Sequence, residues 1–296
     1  MIKAELAPSG KPTFIAFVDG TAIYLDNFAI KSLAKGDALL RQRFVSTLHN
    51  GADLLFSMGT VGEIVGPKGA SSVAFRTFLD ELGPHWFPVE SLVGKVMDRE
   101  AKGYSSNDCA YDGEILTSYF RSRTSENARG SGRIIDLSGN FFKLGMFIEW
   151  VFSERDWIIE KRKELDEELF KTIKVGRARA KEDQGWIDRR FPSLQFDQCP
   201  PATFVHTHLL RNLIFDKGDQ LKKGDGADFC HAVIGSAFAS FATLDKSWKR
   251  RVENLPKPNK LARIYYAPEI KEMVADIESQ LATLGALRTS AHYACE

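Results

Sequence analysis

Short apolar runs recur along this chain, and most close on a polar residue and lead into a segment of helical period. TAIYL leads into Asp26, ADLLFS ends at Ser57, SFATLD ends at Asp245, and LARIYY precedes the final stretch APEIKEMVADIESQLATLG. After Asp26, residues Phe28, Ile30, Leu33 and Ala34 fall at helical spacing, as do Leu39, Leu40, Phe44, Val45 and Leu48. Parallel strands need a crossover between them, and a helix is the usual crossover. The alternation therefore predicts an α/β fold in which a parallel sheet is covered by helices.

Two segments depart from that rhythm. Near the start, TFIAFV and TAIYL flank Asp19-Gly20. Asp-Gly between apolar runs predicts a hairpin, with the Asp19 side chain supporting the turn. In the middle, residues 85–204 carry little strand pattern. SSNDCAYDGE and RTSENARGSGR read as loops, and Phe141 to about Ala180 as a long amphipathic helical stretch. The strand-and-helix rhythm resumes after residue 205. The expected organisation is one discontinuous α/β domain, 1–84 and 205–296, with a mainly helical insertion at 85–204.

Composition narrows the partners. Forty Lys plus Arg stand against 39 Asp plus Glu, a formal charge of +1 over 296 residues, so no global field draws the chain to nucleic acid. Any anionic partner must be held by local basic patches. The four cysteines form no CxxC pair and match no zinc spacing. Scattered thiols suit a reducing, cytoplasmic compartment. The polar start MIKAELAPSGK has no signal-peptide core, and AVIGSAFASFATL is too short to span a bilayer, so no membrane association is expected.

The carboxylates carry the chemistry. Asp26 and Asp245 end apolar strands, while Glu63 and Asp228 lie about one turn into the helices that follow Ser57 and Gly224. In a parallel sheet all strands end on one edge, and ligands bind there where the strand order reverses. Four acids on one edge repel one another and call for cations. Hard oxygen ligands suit Mg²⁺ or Mn²⁺, and two such ions can activate water and stabilise the leaving oxygen of a phosphodiester.

IYLDNFAIKSLA, FSMGTVGEI and DFCHAVIGSAFASFATLDKSW together resemble the PIN-domain nucleases. That family carries an Asp after its first strand, a Glu after a Ser/Thr-rich strand end, an Asp-x-x-(His or Ile)-Ala helix start and a Thr-x-Asp after a later strand. Asp26, Glu63, Asp228 and Asp245 match these in order, over roughly residues 13–80 and 205–285. The resemblance implies a three-layer α/β/α fold with a central, mainly parallel sheet, plus a largely helical insertion. It also implies a metal-dependent endonuclease in which the four acids hold Mg²⁺ or Mn²⁺, with Asp225 as an extra acid. RNA is the favoured substrate by family analogy, in a toxin-like or anti-phage role, and a DNA-cutting relative or a non-catalytic scaffold is the alternative. FVDGT also resembles the haloacid-dehalogenase phosphatase motif, but Phe17 stands where its nucleophilic aspartate would be.

Basic residues flank the acids. Lys246, Lys249, Arg250 and Arg251 follow Asp245, and Lys222 and Lys223 precede Asp228. Phosphate contacts supply most non-specific nucleic-acid affinity, so these are the candidate nucleic-acid-binding residues. In the middle segment, Arg177 and Arg179 are candidates for a gripping wall, and Trp150 and Trp157 for an oligomer or regulatory interface. His231 reads as helix packing, Thr243 as a strand end or a water-ordering group, and KRKELDEEL as a solvated face. His206 and His208, two apart on a helix, do not share a face.

Overall fold

The computed structural model describes residues 1–6, 12–18, 20–64, 70–119, 143–153, 155–183, 185–216, 218 and 220–293. Strand β1 (Ile2–Leu6) pairs antiparallel with β2 (Pro12–Ala16) as a separate two-stranded ribbon. The expected hairpin across Asp19-Gly20 therefore does not form: β2 turns back on β1, while β3 (Thr21–Tyr24) enters the central sheet. A polar N-terminal stretch hid the strand that β2 pairs with. Asp19 itself lies outside the described residues.

The central sheet has five parallel strands in the order β5-β4-β3-β6-β7, with β4 at Ala52–Ser57, β5 at Trp86–Val89, β6 at Phe241–Thr243 and β7 at Arg263–Tyr265. Strands β3 to β6 are buried throughout, as expected of a sheet covered on both faces. Alternation sorts their side chains. Ile23, Leu54 and Phe56 enter one core, whereas Ala22, Tyr24 and Leu55 enter the other.

Helices α1 (Asn27–Lys35), α2 (Ala38–His49), α3 (Met58–Ile64) and α4 (Ala70–Glu81) link the first three sheet strands. After β5 come α5 (Val93–Ala101), α6 (Ser106–Ala110), a helical segment at 113–119, α7 (Leu144–Ser153), the long α8 (Arg155–Glu182) and α9 (Trp186–Arg190). Then follow α10 (Pro201–Phe215), α11 (Asp225–Phe238), α12 (Lys246–Glu253) and α13 (Ile270–Tyr293). The three-layer α/β/α arrangement expected from the sequence is present. Among the described residues, no helix is long and apolar enough to cross a membrane.

The boundary of the insertion moves. β5 falls within the span read as inserted, yet it is an edge strand of the sheet, too short and aromatic to stand out by period. Leu144 and Phe147 of α7 join the first core, and Leu169 and Ile173 of α8 join the second. The described parts of residues 85–204 are thus built into both helical layers instead of standing apart as a separate insertion.

Candidate metal centre at the sheet switch point

From β3 the chain builds outward through β4 to β5, then returns to lay β6 and β7 on the other side of β3. The order reverses between β3 and β6, and the C-terminal ends of these two strands open a crevice. Asp26 follows β3 and caps α1, its Oδ1 accepting from Ala29 N–H at 2.9 Å. Thr243, the fully buried last residue of β6, bridges the crevice. Its Oγ1 accepts from Asp26 N–H at 2.9 Å and donates to Asp26 Oδ1 at 3.0 Å. Asp245, two residues on, caps α12, its Oδ1 accepting from Trp248 N–H at 2.7 Å and from the Ser247 hydroxyl at 2.8 Å. Asp26 and Asp245 thus each use Oδ1 for the cap, and no described residue donates to either Oδ2.

Glu63 arrives from β4. Ser57 ends that strand, and its Oγ accepts from Thr60 N–H at 3.1 Å, which fixes the tight entry into α3. Asp228 lies in the first turn of α11, where the helix dipole favours an anion. No described donor reaches its carboxylate. All four predicted acids, Asp26, Glu63, Asp228 and Asp245, line one cleft of about 180 Å³ together with Phe28, His231 and Trp248. Burial pushes the Asp228 carboxyl up to about 7, reinforced by the charges of Glu63, Asp245 and Asp225 and opposed by Arg162. Asp26 is also raised, by burial first, with the Ala29 N–H and the Thr243 hydroxyl acting the other way.

His231 is buried, one turn after Asp228, and it faces this cleft. Its Nδ1 meets the Tyr24 hydroxyl, which also lies 3.3 Å from Ser57 Oγ. Its Nε2 lies 3.8 Å from Glu63 Oε2 and makes no hydrogen bond with a described residue. Trp248 Nε1 is likewise buried without a hydrogen-bond partner among the described residues. Buried polar atoms are rarely left unpaired, and two of them lining the same cleft mark a place where a polar ligand fits.

The run KRKELDEEL is solvated at Lys161, Lys163, Glu164, Glu167 and Glu168, but Arg162 and Asp166 are turned to the site. Arg162 Nη2 donates to Glu63 Oε1 at 2.9 Å. Buried Asp166, one turn on, accepts from Gly224 N–H at 2.9 Å and Gly226 N–H at 2.8 Å, holding the start of α11 and therefore Asp228. The helices touch backbone to backbone here: a Cβ on Gly226 would stand 2.5 Å from the main chain of Leu165 and Asp166. The signal for this face was the spacing of Leu165, Leu169 and Ile173, which places Arg162 and Asp166 beside a buried stripe.

Other expected residues are placed elsewhere. Asp225 does not line the cleft; it accepts from Lys222 N–H in the turn before α11 and acts on Asp228 only through its charge. Lys222, Lys223 and Lys246 are exposed. Lys249 is committed to Glu269 at 2.6 Å and Glu253 at 3.7 Å, so it is not a free phosphate contact. Arg250 lines a groove with Asn212 and Phe215 on a different side of α12 from Asp245 and Trp248. Arg177 donates to the carbonyls of Leu213 and Asp216, closing the end of α10, and Arg179 pairs with Glu182. Neither forms part of a wall at the acids. His208 Nε2 lies 3.0 Å from the Leu194 carbonyl, while His206 packs against Phe229, burial holding it down at about 4. The side chains of Trp150 and Trp157 lie outside the described residues.

The donor chemistry fits a hard divalent ion: four carboxylates line the cleft, and Asp26, Asp228 and Asp245 each retain an oxygen to which no described residue donates. Among the described residues, no three His, Cys, Asp or Glu side chains close around a single point as they stand. No protein-family model, curated protein or solved structure matches the chain.

Proposed function

We propose that this chain is a Mg²⁺- or Mn²⁺-dependent endonuclease of the PIN-like type, with RNA as its favoured substrate. One observation carries the reading: four carboxylates from four separated segments converge at the point where the strand order reverses. Asp26, Glu63, Asp228 and Asp245 would hold the ion. When bound, such an ion activates water and neutralises the leaving oxygen of a phosphodiester. The chain's own residues prepare the site. Thr243 locks Asp26 at the strand end, Asp166 fixes the helix that carries Asp228, and His231 walls the cleft beside Glu63. Phe28 is 61% exposed at the cleft mouth, where it can stack on a base of a single strand. The preference for RNA over DNA comes from family analogy alone.

The test uses purified protein and its Asp228→Asn variant with total RNA, tRNA, and single- and double-stranded DNA, in Mg²⁺, Mn²⁺ or EDTA. Cleavage by the wild type alone, abolished by EDTA, is expected. Equal cleavage by both proteins would rule the reading out.

A further inference from the structure

Arg162, on α8, does not line the acidic cleft itself but donates to Glu63, which does. Its side chain is 35% exposed, whereas that of Glu63, to which it donates, is 9% exposed. The guanidinium has five N–H donors. A single hydrogen bond, from Nη2 to Glu63 Oε1, engages it among the described residues. Its charge also acts on Asp228 across the cleft.

That contact occupies Oε1, one of the two Glu63 oxygens open to a divalent ion; Oε2 lies 3.8 Å from His231 Nε2 and accepts no hydrogen bond from a described residue. An ion on Glu63 would repel the guanidinium whichever oxygen it took, and on Oε1 it would also compete for the same lone pairs. Released, Arg162 need not travel far. Asp166 anchors α8 to the start of α11 one turn away, so the helix stays in place and only the long side chain turns. A planar fork of N–H groups suits two oxygens of a phosphodiester better than it suits one carboxylate oxygen.

We propose that Arg162 is an exchangeable counter-ion of this site. It neutralises Glu63 while the cleft lacks a divalent ion, and it turns to the phosphate of the substrate strand once an ion takes Glu63. The inference rests on the metal-dependent reading above and adds a substrate-positioning residue from the segment that the sequence set apart.

Manganese binding to the metal-free protein tests the first half without substrate, read by loss of the free Mn²⁺ paramagnetic resonance signal. The variants are Arg162→Ala, Arg162→Gln and Arg162→Lys. Lys163→Ala serves as a control, because Lys163 pairs with Glu167 and both side chains are well exposed. The Ala and Gln variants are expected to bind Mn²⁺ about three- to tenfold more tightly than wild type. Lys should fall between, and Lys163→Ala should match wild type. At saturating Mn²⁺, the Ala and Gln variants should cleave RNA at least about tenfold more slowly, with a raised KM for RNA. Gln, which keeps much of the side-chain length, decides the matter if Ala disturbs folding. Unchanged or weaker Mn²⁺ binding in the neutral variants overturns the proposal, as does tighter binding with full cleavage. Wild type that binds Mn²⁺ but cuts no nucleic acid sinks the nuclease reading and with it the substrate half, while the Mn²⁺ titration still decides the exchange. Wild type that cuts RNA with Mn²⁺, alongside neutral variants that match it in both readouts, sinks this inference alone.

Discussion

The Thr243 hydroxyl holds Asp26 twice: it accepts from the aspartate's backbone N–H and donates to its Oδ1, across the gap between β6 and the end of β3. Thr243→Val keeps the shape and removes both bonds. Fully buried, the change should cost about 1–2 kcal/mol in urea unfolding. It should also slow cleavage roughly tenfold at limiting Mn²⁺, because the ligand would lose the group that orients it. Full activity with lowered stability would make Thr243 a structural residue only.

Asp166 should prove a stability residue with an effect on the site. It is buried and accepts from two main-chain N–H groups at the start of α11. Asp166→Ala leaves both donors unpaired and should lower stability by about 2–3 kcal/mol. Asp166→Asn should lose less. Denaturant midpoints for the three proteins check this, and a shift below about 0.5 kcal/mol for Ala would contradict it.

Gly226 allows α8 and α11 to touch. A methyl group there would meet main-chain atoms of Leu165 and Asp166 at 2.5 Å, and main chain cannot step aside as a side-chain tip can. Gly226→Ala should therefore destabilise the fold by about 1–3 kcal/mol, although Ala is the better helix former by about 1 kcal/mol at an exposed position. A thermal melt at or above that of wild type would show that the helices are not in that contact.

These residues also show where the sequence was legible. Strands that end in Asp26, Ser57 and Asp245 could be read because apolar runs buried on both faces leave a strong local signature. The four acids followed from parallel topology, which sends strand ends to one edge. What escaped was long-range. β1 lies in a polar stretch, and only its pairing with β2 makes it a strand. β5 has four residues, one of them Pro88. Arg162 and Asp166 sit in a charged run whose partners are 99 and 58–60 residues away, so the local spacing places them beside a buried stripe but does not disclose what they hold. Lys249 and Arg177 were misjudged for the same reason: a basic residue in sequence does not disclose the carboxylate or carbonyl that already holds it.

Asp228 gives a pH signature. Its carboxyl lies at about 7 in the folded chain against an ordinary 3.8, chiefly through burial. Between those values the folded state keeps a proton that the unfolded state has lost. Its contribution to metal-free stability is therefore full below about 4, falls as pH rises, and is gone above about 7. Asp228→Asn carries no such charge. It should match wild type below about pH 4 and be more stable at pH 8 without metal. Saturating Mn²⁺ should reverse that order at pH 8, since the ion stabilises the ionised aspartate. Melting curves at the two pH values, with and without Mn²⁺, check the sign.

The most direct measurement is anomalous X-ray diffraction from crystals grown with Mn²⁺. The account predicts a manganese peak within ligand distance of Asp26 and Asp228 and at least one of Glu63 and Asp245, with the Arg162 guanidinium turned away from Glu63. A peak confined to other carboxylates, or none in crystals of protein that cleaves RNA with Mn²⁺, would contradict it.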